Sequence, residues 1–171
     1  SAVLKEHLPL LAHATSKVGD PQVRHRGTLG GALSHGDPAA DHPAILLALG
    51  GEMVIRGPGG ERRVAADDFF TGFLETALAP DELLTEIRIP KATGAGWSFQ
   101  KFNRRAQDWA IVGVAAVHNG RTGIGLVNMD TKPTRATASE QAMAGGASPA
   151  DAAAVAHEGT NPPGDLNGTV E

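Results

Sequence analysis

Apolar residues recur at near-helical spacing at Leu4, Leu8, Leu11 and Ala12, and Gly19-Asp20-Pro21 ends the run. One amphipathic helix is therefore expected over residues 3–18. Residues 24–41 break the periodicity with glycine and small polar side chains, and an apolar run then extends from Pro43 to Leu49 before Gly50-Gly51. Pro43 suits the first helical position, with Asp41 or His42 as the cap. Residues 52–56 and 61–65 flank Gly57-Pro58-Gly59-Gly60, the pattern of two strands and a turn. Asp67-Asp68 opens a short helix or turn through Phe69 to Leu74, and residues 84–89 alternate as a strand that stops at Pro90.

Thr93-Gly94-Ala95-Gly96 reads as a linker, which puts a domain boundary between residues 1–92 and 97–171. Beyond it, residues 97–102 form a strand, and residues 111–118 and 122–128 pair through Asn119-Gly120, a strong hairpin signal. Two helices follow, 136–144 before Gly145-Gly146, and 149–157 with Ser148 as cap and Asp151 three residues on. Strands first and helices after make the second unit α+β. The tail from Asn161 to Glu171, with Pro162-Pro163-Gly164, is expected to be loosely ordered or cut short.

Composition narrows the chemistry. Hydrophobic residues make up 41% and charged residues 20% of 171, the balance of a chain with a packed core. The longest apolar run falls far short of the roughly 20 residues that cross a bilayer, and no signal pattern opens the chain, so no transmembrane segment and a cytoplasmic location are expected. A net charge of -4 without a dense Lys/Arg stretch argues against nucleic acid. The absence of cysteine removes disulfides, thiol nucleophiles and cysteine-held iron-sulfur clusters from this chain, so redox work would need a bound organic cofactor.

Candidate chemistry concentrates between Arg24 and Pro43. In Thr28-Leu29-Gly30-Gly31-Ala32, two glycines after a threonine let backbone N–H groups approach a phosphate or diphosphate, and the threonine hydroxyl offers another donor. A plain tight turn would use the same residues. No Lys-Ser/Thr pair follows the glycines, as a P-loop requires, and Gly-x-Gly-x-x-Gly is absent. His25, His35, Asp37, Asp41 and His42 are potential metal ligands, yet no His-x-x-x-His pair aligns them and Pro38 and Pro43 interrupt any helix. Ser34, His35 and Asp37 lack a Gly-x-Ser-x-Gly elbow, so Asp37 and Asp41 read more simply as cap or turn residues.

Arg24-x-Arg26-Gly27-Thr28-Leu29-Gly30-Gly31 followed by His35-x-Asp37-Pro38-Ala39-Ala40-Asp41-x-Pro43 closely resembles the second FAD loop of the carbon monoxide dehydrogenase medium-subunit family, xanthine dehydrogenase-related molybdenum hydroxylases. Phe69-Phe70, Pro80-Asp81-Glu82-Leu83-Leu84-Thr85-Glu86-Ile87 and Lys101-Phe102-x-Arg104-Arg105-Ala106-x-Asp108-Trp109-Ala110 extend the resemblance along the chain. The resemblance implies an α+β fold: the C-terminal part of a vanillyl-alcohol oxidase-like, PCMH-type FAD-binding domain, then a small CO dehydrogenase flavoprotein C-terminal-like domain.

By position, the resemblance assigns Thr28, Leu29, Gly30, Gly31 and Ala32 to the FAD diphosphate and Asp41 to ribityl or ribose hydroxyls. It sets Leu84 and Lys101 near the flavin ring, with Phe99 as a possible aromatic neighbour. A lysine cation there would favour the reduced, anionic flavin. The implied role is an electron-transfer oxidoreductase subunit, fed by an iron-sulfur small subunit from a molybdenum-cofactor large subunit and delivering to an external acceptor. The family's earlier Ala-Gly-Gly-x-Ser loop and its later Tyr-Arg-Arg segment are absent, so the chain is expected to represent a fragment carrying half of the cofactor cradle. Two alternatives stand beside this reading: a nucleotide-binding or assembly module without flavin, and a metal-dependent hydrolase.

Overall fold

The apolar run read from the sequence becomes α5 (Asp41–Leu49), a helix with all nine residues buried. A helix apolar all round needs covering on every face, and the rest of the chain supplies the cover. In a computed structural model that describes residues 1–164, 166 and 168–170, eight helices and nine strands occur among the described residues.

The chain opens with α1 (Ala2–His7) and α2 (Pro9–Thr15), where one helix was expected. Leu8 between them has φ -139 and ψ 59. The residue before a proline is pushed out of the helical region, and Pro9 itself fits the first helical position. Next come α3 (Pro21–Arg26) and α4 (Leu29–His35), so the segment read as a glycine-rich loop is mostly helical. Asp20 caps α3 by accepting from the Val23 N–H, and Thr28 caps α4 by accepting from the Gly31 N–H at 3.0 Å. Gly36 closes α4 at φ +67, where a Cβ would press within 2.9 Å of the Thr76 methyl. Asp41 is the first residue of α5 rather than its cap, and Pro43 its third.

β1 (Glu52–Gly57) and β2 (Gly60–Ala65) form the expected hairpin. After α6 (Ala66–Phe69), the segment expected to stay helical or turn-like becomes a small hairpin of β3 (Phe70–Gly72) and β4 (Glu75–Thr76). β5 (Leu83–Arg88) then pairs with β1, giving the order β2-β1-β5. The second sheet has the order β6-β7-β8-β9, from β6 (Gly96–Phe102), β7 (Val112–His118), β8 (Thr122–Val127) and β9 (Thr134–Arg135). All of its pairings are antiparallel. On its outer side lie α7 (Thr137–Ala144) and α8 (Pro149–Ala154), the latter shorter than expected. Asp165, Asn167 and Glu171, part of the tail expected to be loose, lie outside the described residues.

Two buried clusters meet on α5. Leu46 and Leu47 join Leu33, Met53, Ile55, Phe69 and Phe70 under the first sheet. Ala44, Ile45, Ala48 and Leu49 join Leu10, Leu11, Phe99, Ala115, Val117 and Val127 on the second. The core is thus continuous across residues 93–96. Gly123 and Gly125 make this possible: a Cβ at either would collide with the carbonyl oxygens of Ala48 and Ala44 respectively. Arg135 adds a surface tie, reaching Asp67 on α6 at 2.9 Å and pairing with Glu140 on α7.

Gly125→Ala should lower the unfolding free energy of the full-length protein by about 2–3 kcal/mol, because a methyl group is forced into helix backbone. Gly59→Ala, where an added Cβ meets nothing within 4 Å, should change it by less than about 0.5 kcal/mol. Urea unfolding of the two variants checks the contrast.

Candidate functional site

The N-terminus of α5, the glycine-bearing α4 and the end of β6 surround a cleft of about 670 Å³. Thr28, Leu29, Gly31, Ala32, Asp41 and Lys101 line it, with Leu11, Thr15 and Val18 on one wall and Gln107, Asp108 and Trp109 on another. Six of the eight residues singled out from sequence therefore converge here. Gly30 belongs to the same helical turn but does not line the cleft, and an added Cβ there would meet nothing within 4 Å. Leu84 lies elsewhere, half-buried on β5 against the cluster that contains Leu33 and Phe69. Phe99 is a core residue, 7% exposed among Leu10, Ala44 and Val127, and does not line the cleft.

At the start of α4, the N–H of Gly31 is taken by the Thr28 hydroxyl and that of Ala32 by the Thr28 carbonyl. The N–H groups of Leu29 and Gly30 have no hydrogen-bond partner among the described residues. Such first-turn donors are satisfied by water or by a ligand. Arg24 lines the cleft but is not free to reach across it, since its Nη1 donates to the carbonyls of Val18 (2.8 Å) and Gly19 (3.3 Å). It instead fixes the turn that leads from α2 to α3.

The floor is electrostatic. Asp41 is 4% exposed, and its Oδ2 accepts from the Lys101 ammonium at 2.9 Å. Its Oδ1 is buried without a hydrogen-bond partner. Burial pushes the Asp41 carboxyl pKa up, and the bond and charge of Lys101 pull the other way. Lys101 also reaches the Lys17 carbonyl at 3.5 Å. Because its charge is spent on Asp41, Lys101 offers a neutralised pair rather than a bare cation. The orphaned Oδ1 lacks a donor, and a ribityl or ribose hydroxyl is the kind of group that would supply one. The residues present thus fit a nucleotide-like cofactor.

Next to Asp41, His42 is buried, and its Nε2 lies 3.1 Å from the Thr15 hydroxyl. That hydroxyl donates its one hydrogen to the Leu11 carbonyl at 2.7 Å. His42 must therefore donate from Nε2–H. Burial and the nearby Lys101 charge both hold its pKa below the usual histidine range, so neutral His42 pins α5 to α2. Among the described residues, no group of three or more His, Asp or Glu side chains is placed to hold a metal ion. Sequence reading missed the Thr15–His42 contact, which links residues 27 apart, and the wall at Trp109. An aromatic directly after the mostly polar run from Asn103 to Asp108 was the available signal for that wall.

Two pH responses follow. A histidine whose folded pKa is depressed contributes stability that is complete above about pH 6.5 and is lost as the pH falls toward the folded value. His42→Gln, which can still donate to Thr15, should therefore lose less stability than the wild type between pH 7 and pH 5. Lys101→Met strands the Asp41 carboxylate and should cost about 3 kcal/mol at pH 7. A raised carboxyl pKa favours folding below that pKa, so this deficit should shrink as the pH falls. Urea midpoints of the full-length proteins across pH measure both.

A family model described as the FAD binding domain in molybdopterin dehydrogenase matches residues 1–92. A second, described as the CO dehydrogenase flavoprotein C-terminal domain, matches residues 97–171. The carbon monoxide dehydrogenase medium chain of Afipia carboxidovorans is 37% identical over 182 residues, covering 100% of this chain and 63% of that protein. The medium chain from Hydrogenophaga pseudoflava is 47% identical over 118 residues, covering 68% of this chain and 41% of that one. The solved structure of the Hydrogenophaga pseudoflava carbon monoxide dehydrogenase lacking the Mo-pyranopterin moiety superposes with a TM-score of 0.92 at 40% identity. That comparison covers 99% of this chain and 63% of the other. The chain thus spans less than two thirds of the length of these relatives. With both family models matched in sequence and the fold shared along the chain, this protein belongs to the family of FAD-binding medium subunits of CO dehydrogenases and related molybdenum hydroxylases.

Proposed function

We propose that this chain forms part of an FAD-binding electron-transfer subunit of a molybdenum-containing dehydrogenase. The observation that carries the proposal is Asp41: a buried carboxylate with one oxygen tied to Lys101 and the other unpartnered, beside the Thr28–Ala32 turn. In this reading Leu29 and Gly30 donate backbone N–H groups to the cofactor diphosphate, while Gly31 and Ala32 let it approach. Thr28 holds that turn in shape. Asp41 accepts from a sugar or ribityl hydroxyl, and Lys101 keeps Asp41 ionised. Leu84 flanks the ring from the first sheet, outside the cleft described above.

Bound FAD supplies a redox centre able to exchange electrons singly or in pairs. The protein's part is to bind and orient it and to exclude water from its buried edge. By analogy with the medium chains it resembles, the subunit works with an iron-sulfur small subunit and a molybdenum-cofactor large subunit. Electrons pass from their clusters to an external acceptor, in the cytoplasm. Residues 1–92 and 97–171 act as two family modules that share one core. No helix among the described residues is long and apolar enough to cross a membrane.

Gly30→Leu tests the reading: Gly30 does not line the cleft and a side chain there has open space in the protein itself, so only a diphosphate held at its N–H would meet it. The full-length variant should keep its thermal midpoint while its FAD affinity falls at least tenfold. Asp41→Asn, which weakens a charge-assisted bond worth roughly 1.5–3 kcal/mol, should weaken binding about 10- to 100-fold. Titration of apoprotein by flavin fluorescence reads both. Unchanged FAD affinity in Gly30→Leu would remove the diphosphate role from this turn, and a wild type that holds no FAD would overturn the function.

A further inference from the structure

Two segments that line the cleft are tied together by a residue that does not line it. β8 ends at Val127, and the next residue, Asn128, has φ +60. Among the described residues only Leu74 shares this left-handed conformation without being glycine. Asparagine tolerates it better than most side chains. The turn points the Asn128 backbone N–H at the Pro38 carbonyl, 2.8 Å away. Its side-chain amide meanwhile donates to the carbonyls of Ile111 at 3.1 Å and Ala110 at 3.3 Å.

Each partner sits one or two residues from the cleft lining. Pro38 lies in the turn that Asp37 organises, its Oδ1 accepting from the Ala39 N–H at 2.8 Å, and this turn delivers Ala40 and Asp41 to the cleft floor. Ala110 and Ile111 follow Gln107, Asp108 and Trp109, which also line the cleft. Ile111 N–H in turn donates to the Phe102 carbonyl at 2.8 Å, next to Lys101. The Asn128 side chain and two peptide groups, those of Asn128 and Ile111, thus connect the Asp41 end of α5, the Trp109 segment and the strand that bears Lys101. α5 has no side-chain cap of its own to fix its first turn.

We propose that Asn128 is a positioning residue for the cofactor cleft, holding the Pro38–Asp41 turn and the Gln107–Trp109 wall at a fixed separation. The proposal rests on the cleft being the FAD site. Asn128→Gly keeps the left-handed backbone at no steric cost and removes the two amide donors, while adding a backbone freedom that Asn128→Asp does not share. Asn128→Asp keeps size and turn preference but faces two carbonyls with a group that cannot donate when ionised.

The test uses the full-length protein and three readouts. Trypsin cutting at the exposed Arg104-Arg105 pair reports the freedom of the wall without reference to flavin. The FAD dissociation constant and the visible circular dichroism of bound flavin report the site. Both variants are expected to be cut about tenfold faster, to bind FAD about tenfold more weakly, and to show an altered flavin band, as the loss of two hydrogen bonds allows. Faster cutting with unchanged FAD affinity and band would mean that the tether does not position the cofactor, and the proposal falls while the FAD reading stands. Loss confined to Asn128→Asp would trace the effect to an added charge rather than to missing donors, which also overturns it. If the wild type itself binds no FAD, the function assigned to the cleft fails and the positioning role fails with it.

Discussion

The structure depends on one helix being buried on every side. α5 carries Ala44, Ile45, Ala48 and Leu49 toward one cluster and Leu46 and Leu47 toward the other, and every one of its residues is buried. Burying a side chain of this size yields about 1.5–3 kcal/mol, so exposing either flank would be expensive. The second sheet can approach the helix because β8 presents Gly123 and Gly125 at the contact, letting backbone meet backbone. The residues between 93 and 96 join two stretches matched by separate family models, yet the core runs through the join without a break.

That constraint dictates the electrostatics of the cleft. A helix buried along its length brings its first residues inside as well, and Asp41 and His42 lie there at 4% and 8% exposure. A buried carboxylate is tolerated when a cation and further donors compensate it. Lys101, from the sheet covering the other side of α5, supplies the cation, and one Asp41 oxygen is left without a hydrogen-bond partner. The pair therefore links fold and function: the packing that buries Asp41 also leaves it short of one partner. His42 solves the same problem differently, staying neutral and donating to Thr15.

Much of this was legible in the sequence where the signal is local. The β1–β2 and β7–β8 hairpins follow from their glycine-bearing turns, and α7 from its Gly145-Gly146 stop. The glycine-bearing turn and Asp41 were found as motifs. The conformation of that turn was not, because two adjacent glycines read as loop, whereas Thr28 caps a helix that contains them. Pro9 splitting α1 from α2 was visible in principle and was masked by the strong Leu4, Leu8, Leu11 spacing. What sequence could not yield were long-range pairings. Lys101 with Asp41, Thr15 with His42 and Asn128 with Pro38 each join distant residues, and Phe99 faces the core because of the register in which β6 meets β7.

The central claim is that the unpartnered Asp41 oxygen belongs to an FAD site built on the Thr28–Ala32 turn. A crystal structure of the full-length protein with FAD tests it most directly. The account predicts the diphosphate against the Leu29 and Gly30 N–H groups, with a cofactor hydroxyl within hydrogen-bond distance of Asp41 Oδ1. Flavin bound elsewhere, or in this cleft with Asp41 Oδ1 still unpartnered, would contradict it.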